Sequence, residues 1–217
     1  RSFDELMVRD DEVVIGEQLA WTTQQGETWF QEQRRLSVSV APDLGAWSLT
    51  FETRFTNVTG ATIPIGSPTT QGRDNAGYGG LFWRGPRSFT GGAVYTSDAS
   101  GGDELMGVRA PWMSFVGRHD DVDRSSTIVF VDAEDNPEHP TQWFVRSTPF
   151  ACICPAPFFS EEVPVESGQS AARRYAVVIA DGDAGQDGSA DLAQLGEDAL
   201  ATARGLEGPE PASEDRT

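Results

Sequence analysis

The sequence predicts an all-β fold, an antiparallel β-sandwich that ends in one C-terminal helix. About ten strand-like segments, bounded by Gly, Pro, Asn, Asp and Ser, precede a single helical pattern. Residues 45–58 alternate apolar and polar side chains, which is typical of a strand with one face on the core. The other face of that strand is then either wet or covered by a second layer. Residues 125–132 are apolar on both faces, which indicates a central strand.

The expected strands are separated by short polar turns along the whole chain. They cover residues 3–8, 12–23, 27–40, 45–58, 88–95, 109–117, 125–132, 149–159 and 171–181. A helix is expected from Ser189, as its N-cap, through Arg204, with Gly205 as its stop. We expect one domain over residues 1–205, which lacks an N-terminal segment because the chain begins without Met. Residues 206–217, rich in Pro, Glu and Ser, are expected to be a disordered acidic tail.

Composition and charge narrow the classes of function. The chain of 217 residues is long enough for one sizeable core, and its net charge of −18 opposes binding to nucleic acid. Its 16 basic residues are all arginine, which rules out Schiff-base chemistry on a lysine. No run approaches the eighteen or so apolar residues of a membrane-spanning helix, so no membrane partner is expected.

The two cysteines, Cys152 and Cys154, lie two residues apart on a predicted strand. Their side chains then point to the same face, and a disulfide across so short a loop would be strained. We therefore expect buried free thiols, which fits a reducing cytoplasm and predicts a cytoplasmic protein. With only two histidines in the chain, neither a metal nor another cofactor is expected.

A glycine-rich stretch over residues 66–84, GSPTTQGRDNAGYGGLFWR, is too irregular for a core element and unusually aromatic for a linker. Arg73, Asn75, Tyr78, Trp83 and Arg84 offer hydrogen-bond donors and flat faces that would suit a sugar. The alternative is a long hairpin connection whose aromatic rings cap the core and whose arginines pair with carboxylates.

Two charged residues, Glu32 and Arg34, share one face of the 27–40 strand with Leu36 and Val38. Charges on an inward face are costly unless they are paired or lie at an open end of the sheet. One interpretation is a site at the mouth of the sandwich. The other is an ion pair at a strand end, with a bulge at residues 31–33 turning both side chains to solvent.

A second informative stretch covers residues 132–146, DAEDNPEHPTQWFVR. Pro137 and Pro140 fix the backbone on either side of His139. An imidazole held beside an acidic turn is suited to general acid or base catalysis. A single histidine in a turn is also commonly structural, and the residues alone leave both interpretations open.

Five segments resemble, in the same order, the PmoA-like family of bacterial proteins of unknown function: GSPTTQGRDNAGYGGLFWR, RAPWMSFVG, NPEHPTQWFVR, PAPFF and RRYAVVIADG. The resemblance covers most of residues 66–182, and N-P-x-H-P-T-x-W, from Asn136 to Trp143, is its most specific part. The family is named after a copper-associated membrane subunit of methane monooxygenase. With two histidines and no spanning segment, this chain is not expected to be such an oxygenase.

The resemblance implies a soluble protein with a galactose-mutarotase-like supersandwich, whose concave sheet face binds sugar, often encoded beside sugar oxidoreductases. It selects as site residues Arg84, Asn136, His139, Trp143 and Arg146. This chain departs from the family in two ways, since Phe144 stands where many members have a second histidine, and a His-rich beginning is absent. A metal is therefore implied only if a missing N-terminal segment supplies ligands.

Two functions are then expected, each with a small-molecule carbohydrate as ligand and with the oligomeric state left open. The first is a sugar-processing enzyme with His139 and Glu32 as its acid–base pair. Its substrate would be bound by Arg34, Arg73, Asn75, Tyr78, Trp83, Arg84, Asn136, Trp143 and Arg146. The second is a non-catalytic sugar-binding or accessory protein that partners an oxidoreductase. A separation of Glu32 and His139 beyond about 7 Å would remove the only acid–base pair of the first.

Overall fold

The computed structural model describes residues 1–120, 122, 124–203 and 206, and it confirms an antiparallel β fold with one C-terminal helix. The strands are β1 (Ser2–Val8), β2 (Glu12–Thr22), β3 (Thr28–Ala41), β4 (Ala46–Asn57), β5 (Ile63–Ile65), β6 (Trp83–Arg84), β7 (Ala93–Thr96), β8 (Ser100–Gly101), β9 (Trp112–Arg118), β10 (Ser125–Asp132), β11 (Trp143–Arg146), β12 (Cys152–Pro155), β13 (Val163–Val165) and β14 (Ser170–Asp181). The helix α1 spans Gly185–Thr202. Apart from Leu206, the predicted tail over residues 206–217 lies outside the described residues, as do Arg204 and Gly205 at the predicted helix end.

One large sheet dominates the molecule. Its nine strands run in the order β1-β2-β3-β4-β14-β10-β9-β7-β8, and each neighbouring pair is antiparallel. As predicted, β10 is central, between β14 and β9. A three-stranded sheet of order β11-β12-β6 and a two-stranded ribbon of β5 and β13 complete the fold.

The two faces of the large sheet are covered by different layers. One face, called the inner face here, packs Phe115, Phe130 and Val177 against Trp143 and Ile153 of the three-stranded sheet, which makes a sandwich. Farther along the same face, the β5–β13 ribbon covers Phe30 and Phe55 with Ile63 and Val165. The opposite face, called the outer face, packs against α1 through Val131, Ala176, Val178, Leu192 and Leu200.

The helix α1 accounts for the burial of polar residues on the outer face of β4. Ser48, Thr50 and Glu52 of β4 lie on the outer face and are buried, because a second layer containing α1 covers that side of the sheet. Of the two expectations for this face, the covered one therefore holds. No helix among the described residues has the length and apolar character needed to cross a membrane.

The boundaries of several elements differ from those predicted. The helix begins at Gly185, four residues before Ser189, whose buried hydroxyl donates to the carbonyl of Gly185 (2.6 Å) and therefore does not cap the helix. The expected strand at 88–95 is shortened to β7, since residues 87–89 form a 3₁₀ turn. The strand expected at 149–159 is reduced to β12.

Both cysteines are free and buried on β12, as expected. Burial raises the pKa of the Cys152 thiol to about 11 and that of Cys154 to about 12. At pH 8 both groups are therefore protonated, and the protonated thiol is a poor nucleophile.

We expect neither cysteine to react with a thiol reagent such as dithionitrobenzoate at pH 8 in the folded protein, and both to react after denaturation in guanidinium. The measurement is the number of thiols released per chain in each condition. Rapid labelling of the native protein would contradict the burial of β12.

Gly196 holds the helix close to the outer face. A Cβ added at this position would lie 2.7 Å from Cγ2 of Val131 and 3.3 Å from the side chains of Ala176 and Val178. A side chain there forces α1 away from β10 and β14, because packed interiors have little room to adjust.

Gly196→Val is expected to lower the free energy of unfolding by about 1–3 kcal/mol, measured by urea denaturation. The control is Glu197→Val, which places the same side chain at the next, exposed helix position. Equal losses in the two variants would show that helix propensity, rather than the contact with the sheet, sets the effect.

Candidate functional site

A cavity of about 410 Å³ lies on the inner face, above β2, β3, β4 and β14. Charged side chains at this cavity come from Glu32, Arg34 and Arg173. Aromatic side chains from the sheet and from the segment before β13 form much of the remaining lining, namely Trp21, Phe51, Phe55, Phe158 and Tyr175. The end of the glycine-rich stretch, from Gly79 to Phe82, also lines it. This inner-face cavity thus joins two of the regions that the sequence singled out.

Strand register places the charged side chains side by side. Arg34 of β3 pairs with Thr53 of β4, and Thr53 pairs with Arg173 of β14. The pairing of β3 with β4 runs without a break from Phe30 to Ala41. The alternative of a bulge at residues 31–33 that turns Glu32 and Arg34 to solvent is therefore wrong.

Glu32 is 1% exposed and its carboxylate accepts four hydrogen bonds. Arg34 donates from Nε to Oε1 (2.8 Å) and from Nη2 to Oε2 (3.0 Å). Trp21 Nε1 donates to Oε2 and Thr53 Oγ1 to Oε1, both at 2.7 Å. Four bonds occupy the lone-pair positions of the carboxylate, so Glu32 is arranged to hold Arg34 and Trp21 in place.

The charge network continues along the inner face to β2. Arg34 also donates from Nη1 to Oε1 of Glu17 (3.2 Å), and Glu17 in turn contacts Nε of Arg1 (2.6 Å). Glu17 is almost as deeply buried as Glu32. Arg34 is therefore held between two carboxylates, and its position beside the cavity is fixed.

Arg173 was not predicted as a site residue, although the alternation in RRYAVVIAD could have revealed it. Tyr175 and Val177 face inward, so Arg173 must do the same while Arg174 faces outward. Arg173 is 5% exposed, and its Nη1 donates to the carbonyl of Ala172 (2.8 Å). Its charge lies at the cavity next to the Glu32–Arg34 pair.

Most of the glycine-rich stretch lies away from the cavity. Arg73 and Asn75 are exposed, and Asn75 has a φ of 50° at the turn. Tyr78 is half-buried and packs edge-to-face on Phe144, with ring centroids 5.1 Å apart. Gly77 lies against Phe159, because a Cβ added there would be 2.2 Å from that ring. Tyr78 and Gly77 thus have the packing role that was the alternative interpretation of this stretch, while Arg73 and Asn75 lie outside the cavity.

Trp83, Arg84, Trp143 and Arg146 belong to the three-stranded sheet and do not line the cavity. Trp83 is half-buried and packs against Phe115. Trp143 is 0% exposed and its Nε1 donates to the carbonyl of Ala110, so its ring is not available to stack on a sugar. The Arg84 guanidinium lies 4.0 Å from the ring centroid of Phe150. Arg146 contacts Asp103 at 3.7 Å and the carbonyl of Asn75 at 3.4 Å.

His139 lies in a second cluster, at the end of β10. Its Nδ1 is 3.0 Å from Oδ2 of Asp132, which also accepts from the backbone N–H of Thr141 (2.8 Å). Asn136 donates to Oδ1 of Asp132 and exchanges two further hydrogen bonds with the backbone of Arg174. Burial raises the pKa of Asp132, against the opposing effect of these donors. Asn136 therefore ties the turn to β14, and every polar atom of its amide is used within the protein.

The structure does not bring Glu32 and His139 together. Glu32 is on β3 and Asp132, the partner of His139, is on β10, with β4 and β14 between them. Three strand spacings are about 14 Å, and the register adds an offset of several residues along the strands. The predicted acid–base pair is thus not assembled, and the partner of His139 is Asp132.

Comparison with known proteins adds a family assignment. A family model described as a family of unknown function, DUF6807, matches residues 1–194. The chain belongs to this DUF6807 family. Among curated proteins, none matches this DUF6807 chain significantly.

Two solved structures are similar to this DUF6807 protein at low levels. One is an aldose 1-epimerase candidate from Klebsiella pneumoniae subsp. pneumoniae MGH 78578, with 11% identity and a TM-score of 0.37 over 94% of this chain and 59% of the epimerase chain. The other is a GalM/aldose epimerase homologue from C. elegans, with 8% identity and a TM-score of 0.29 over 84% of this chain and 70% of the other. Likenesses at these TM-scores do not bear on substrate or reaction.

The described part of this DUF6807 chain holds no cluster of three or more His, Cys, Asp or Glu side chains placed to bind a metal ion. The two polar clusters described above differ in what they can bind. In the His139 cluster, the polar atoms of Asp132 and Asn136 and Nδ1 of His139 form hydrogen bonds within the protein. The inner-face cavity presents charged donors beside aromatic surface in a space of ligand size.

Because Glu32 accepts four hydrogen bonds, we expect even a substitution of similar shape to destabilise the protein strongly. Glu32→Gln keeps the shape of the side chain but removes the charge that balances Arg34, and the new NH₂ group faces donors. We expect the free energy of unfolding to fall by about 3 kcal/mol, measured by urea denaturation at neutral pH. Glu27→Gln, in the exposed turn before β3, is the control and should stay within about 0.5 kcal/mol of the wild type. Equal stability of the two variants would mean that the buried network contributes nothing.

Proposed function

We propose that this DUF6807 protein binds a carbohydrate in the inner-face cavity. The observation that supports the proposal best is the fixed Glu32–Arg34 pair beside aromatic side chains in a space of about 410 Å³. A sugar presents hydroxyl groups at its edge and C–H groups on its faces. A site for it therefore combines oriented polar groups with flat apolar surface.

Trp21 connects both parts of the site. Its indole N–H donates to Glu32, which fixes the orientation of the ring, while 49% of the residue remains exposed. On its inner side the ring stacks on Phe55, with centroids 6.1 Å apart. An indole held in this way offers a rigid apolar surface, so little conformational entropy is lost when a ligand packs on it.

The geometry favours binding over catalysis. Glu32 already accepts four hydrogen bonds. His139, the other residue of the expected acid–base pair, contacts Asp132 of β10 instead of Glu32. A general base needs free access to the proton that it removes, and Glu32 lacks it. Of the two functions expected from the sequence, the non-catalytic sugar-binding protein is therefore the one that we propose.

The test is a calorimetric titration of hexoses, pentoses, uronic acids and disaccharides. We expect at least one of these classes to bind, and Trp21→Ala to weaken that binding about tenfold through the loss of the stacking surface. Trp21→Phe, which keeps a flat ring, should retain most of the affinity.

Trp29→Ala is the matched control, because Trp29 is 43% exposed on the neighbouring strand and does not line the cavity. This variant should bind as the wild type does. Equal losses in Trp21→Ala and Trp29→Ala, or no heat of binding with any sugar, would contradict the proposal.

A further inference from the structure

The guanidinium of Arg173 is buried without a balancing charge. Within the described residues it forms no salt bridge, its Nε has no hydrogen-bond partner, and its one hydrogen bond runs from Nη1 to the carbonyl of Ala172. The ring of Phe158 lies 5.8 Å from its Cζ. A buried guanidinium loses its hydration, and one backbone hydrogen bond with one ring contact does not replace it.

Arg173 belongs to a row of residues that lie opposite one another on β3, β4 and β14, and a second such row lies on the outer face. The other arginines of these two rows form ion pairs. On the outer face, Arg35, Glu52 and Arg174 are cross-strand neighbours on β3, β4 and β14, and the central glutamate accepts from Arg174 at 2.9 Å and lies 3.8 Å from Arg35. On the inner face the corresponding row is Arg34, Thr53 and Arg173. A threonine replaces the central carboxylate in this row, so the sheet itself supplies no charge for Arg173.

The balance at the cavity leaves one positive charge. Glu32 accepts two hydrogen bonds from Arg34, Glu17 contacts both Arg34 and Arg1, and the hydroxyl of Thr53 is directed to Glu32. Two carboxylates therefore balance Arg1 and Arg34, and the charge of Arg173 remains. Arg173 lines the same cavity, and Tyr175 follows it two residues later on the same face of β14. A ligand with one negative charge would complete this row in the way that Glu52 completes the outer one.

We propose that Arg173 binds the carboxylate of an acidic sugar, such as a uronic acid, in the inner-face cavity. This proposal rests on the carbohydrate site proposed above and specifies its ligand class.

A carboxylate fits for two reasons. Its oxygens can accept from the planar guanidinium through Nη2, which bonds to no described residue, while the unpaired Nε is itself buried. Its single charge balances Arg173, whereas a phosphate monoester, at about −1.5 to −2, would leave excess negative charge beside Glu32.

The experiment compares matched ligands by calorimetric titration: D-glucuronate against D-glucose, and D-galacturonate against D-galactose. In the wild type we expect at least one uronate to bind about tenfold or more tightly than its neutral parent. In Arg173→Met we expect the ratio of the two affinities to fall to about one. Arg87→Met, which removes an exposed arginine outside the cavity, is the control and should keep the wild-type ratio.

Thermal unfolding of the ligand-free variants separates a binding role from a structural one. Because Arg173 has no ion pair to lose among the described residues, Arg173→Met should melt at the wild-type temperature or above it. A clearly lower melting temperature with an unchanged affinity ratio would show that Arg173 is structural and would overturn the proposal. If Arg173→Met does not fold, Arg173→Lys replaces it. This variant keeps the charge without the fork, and the affinity ratio should fall only in part.

The outcomes distinguish this proposal from the one on which it rests. Equal affinity for uronates and neutral sugars in the wild type would overturn the carboxylate site and leave the carbohydrate site standing. Tighter binding of D-glucose 6-phosphate or D-glucose 6-sulfate than of D-glucuronate would overturn the choice of carboxylate. Absence of binding by any sugar, neutral or acidic, would overturn both proposals.

Discussion

The unbroken register of β3, β4 and β14 is the constraint on which the rest of the structure depends. Side chains alternate between the two faces, so a slip by one residue would exchange every inward and outward position. Glu32 and Arg34 would then face α1, and Arg35 and Glu52 would face the cavity. Charged pairs on both faces, together with the apolar residues around them, hold the register at one value.

Both faces of the large sheet carry buried arginine–glutamate pairs, but the surroundings of these pairs differ. On the outer face Arg174 bonds to Glu52, to Asp135 and to the carbonyl of Leu200 near the end of α1, so this network fastens the helix to the sheet. Burial raises the pKa of Glu52, although Arg174 and Arg35 oppose the shift. On the inner face the network is equally buried but adjoins an open cavity. Cavities also adjoin the outer network, at Arg35 and at Arg174, but there Glu52 bonds to Arg174 and lies 3.8 Å from Arg35. The inner cavity differs because Arg173 has no ion pair among the described residues.

Sequence periodicity was sufficient for features that depend on neighbouring residues along one strand. The antiparallel class, the central position of residues 125–132 and the buried thiols follow from alternation and composition. Alternation also offered the inward direction of Glu32 and Arg34, but only the observed register of β3 and β4 excludes the bulge. The start of α1 was misplaced, because Ser189 has the residue type of a cap but its hydroxyl bonds inside the helix.

Features that depend on strand order were not accessible in the same way. Insertion of β14 between β4 and β10 separates Glu32 from His139 and brings Arg173 beside Arg34, and no local pattern marks that insertion. Trp143 illustrates a related limit, since a motif does not reveal whether its tryptophan faces a ligand or the core, and here it is wholly buried. Tertiary topology, which joins segments far apart in the chain, decides both cases.

The positive charge of Arg173 at the proposed site is opposite in sign to the net charge of the chain, and this difference affects which anions would bind there. The chain carries a net charge of −18, which repels anions in general. At physiological ionic strength such repulsion between exposed charges is screened beyond about 8 Å, whereas a buried charge in contact with its ligand is screened far less. Direct contact with a buried charge such as Arg173 therefore favours an anion more than the exposed arginines do, and we propose that a carboxylate on a sugar ring makes this contact. In the site that we propose, the aromatic lining and the charge of Arg173 would then favour the same ligand, an acidic sugar.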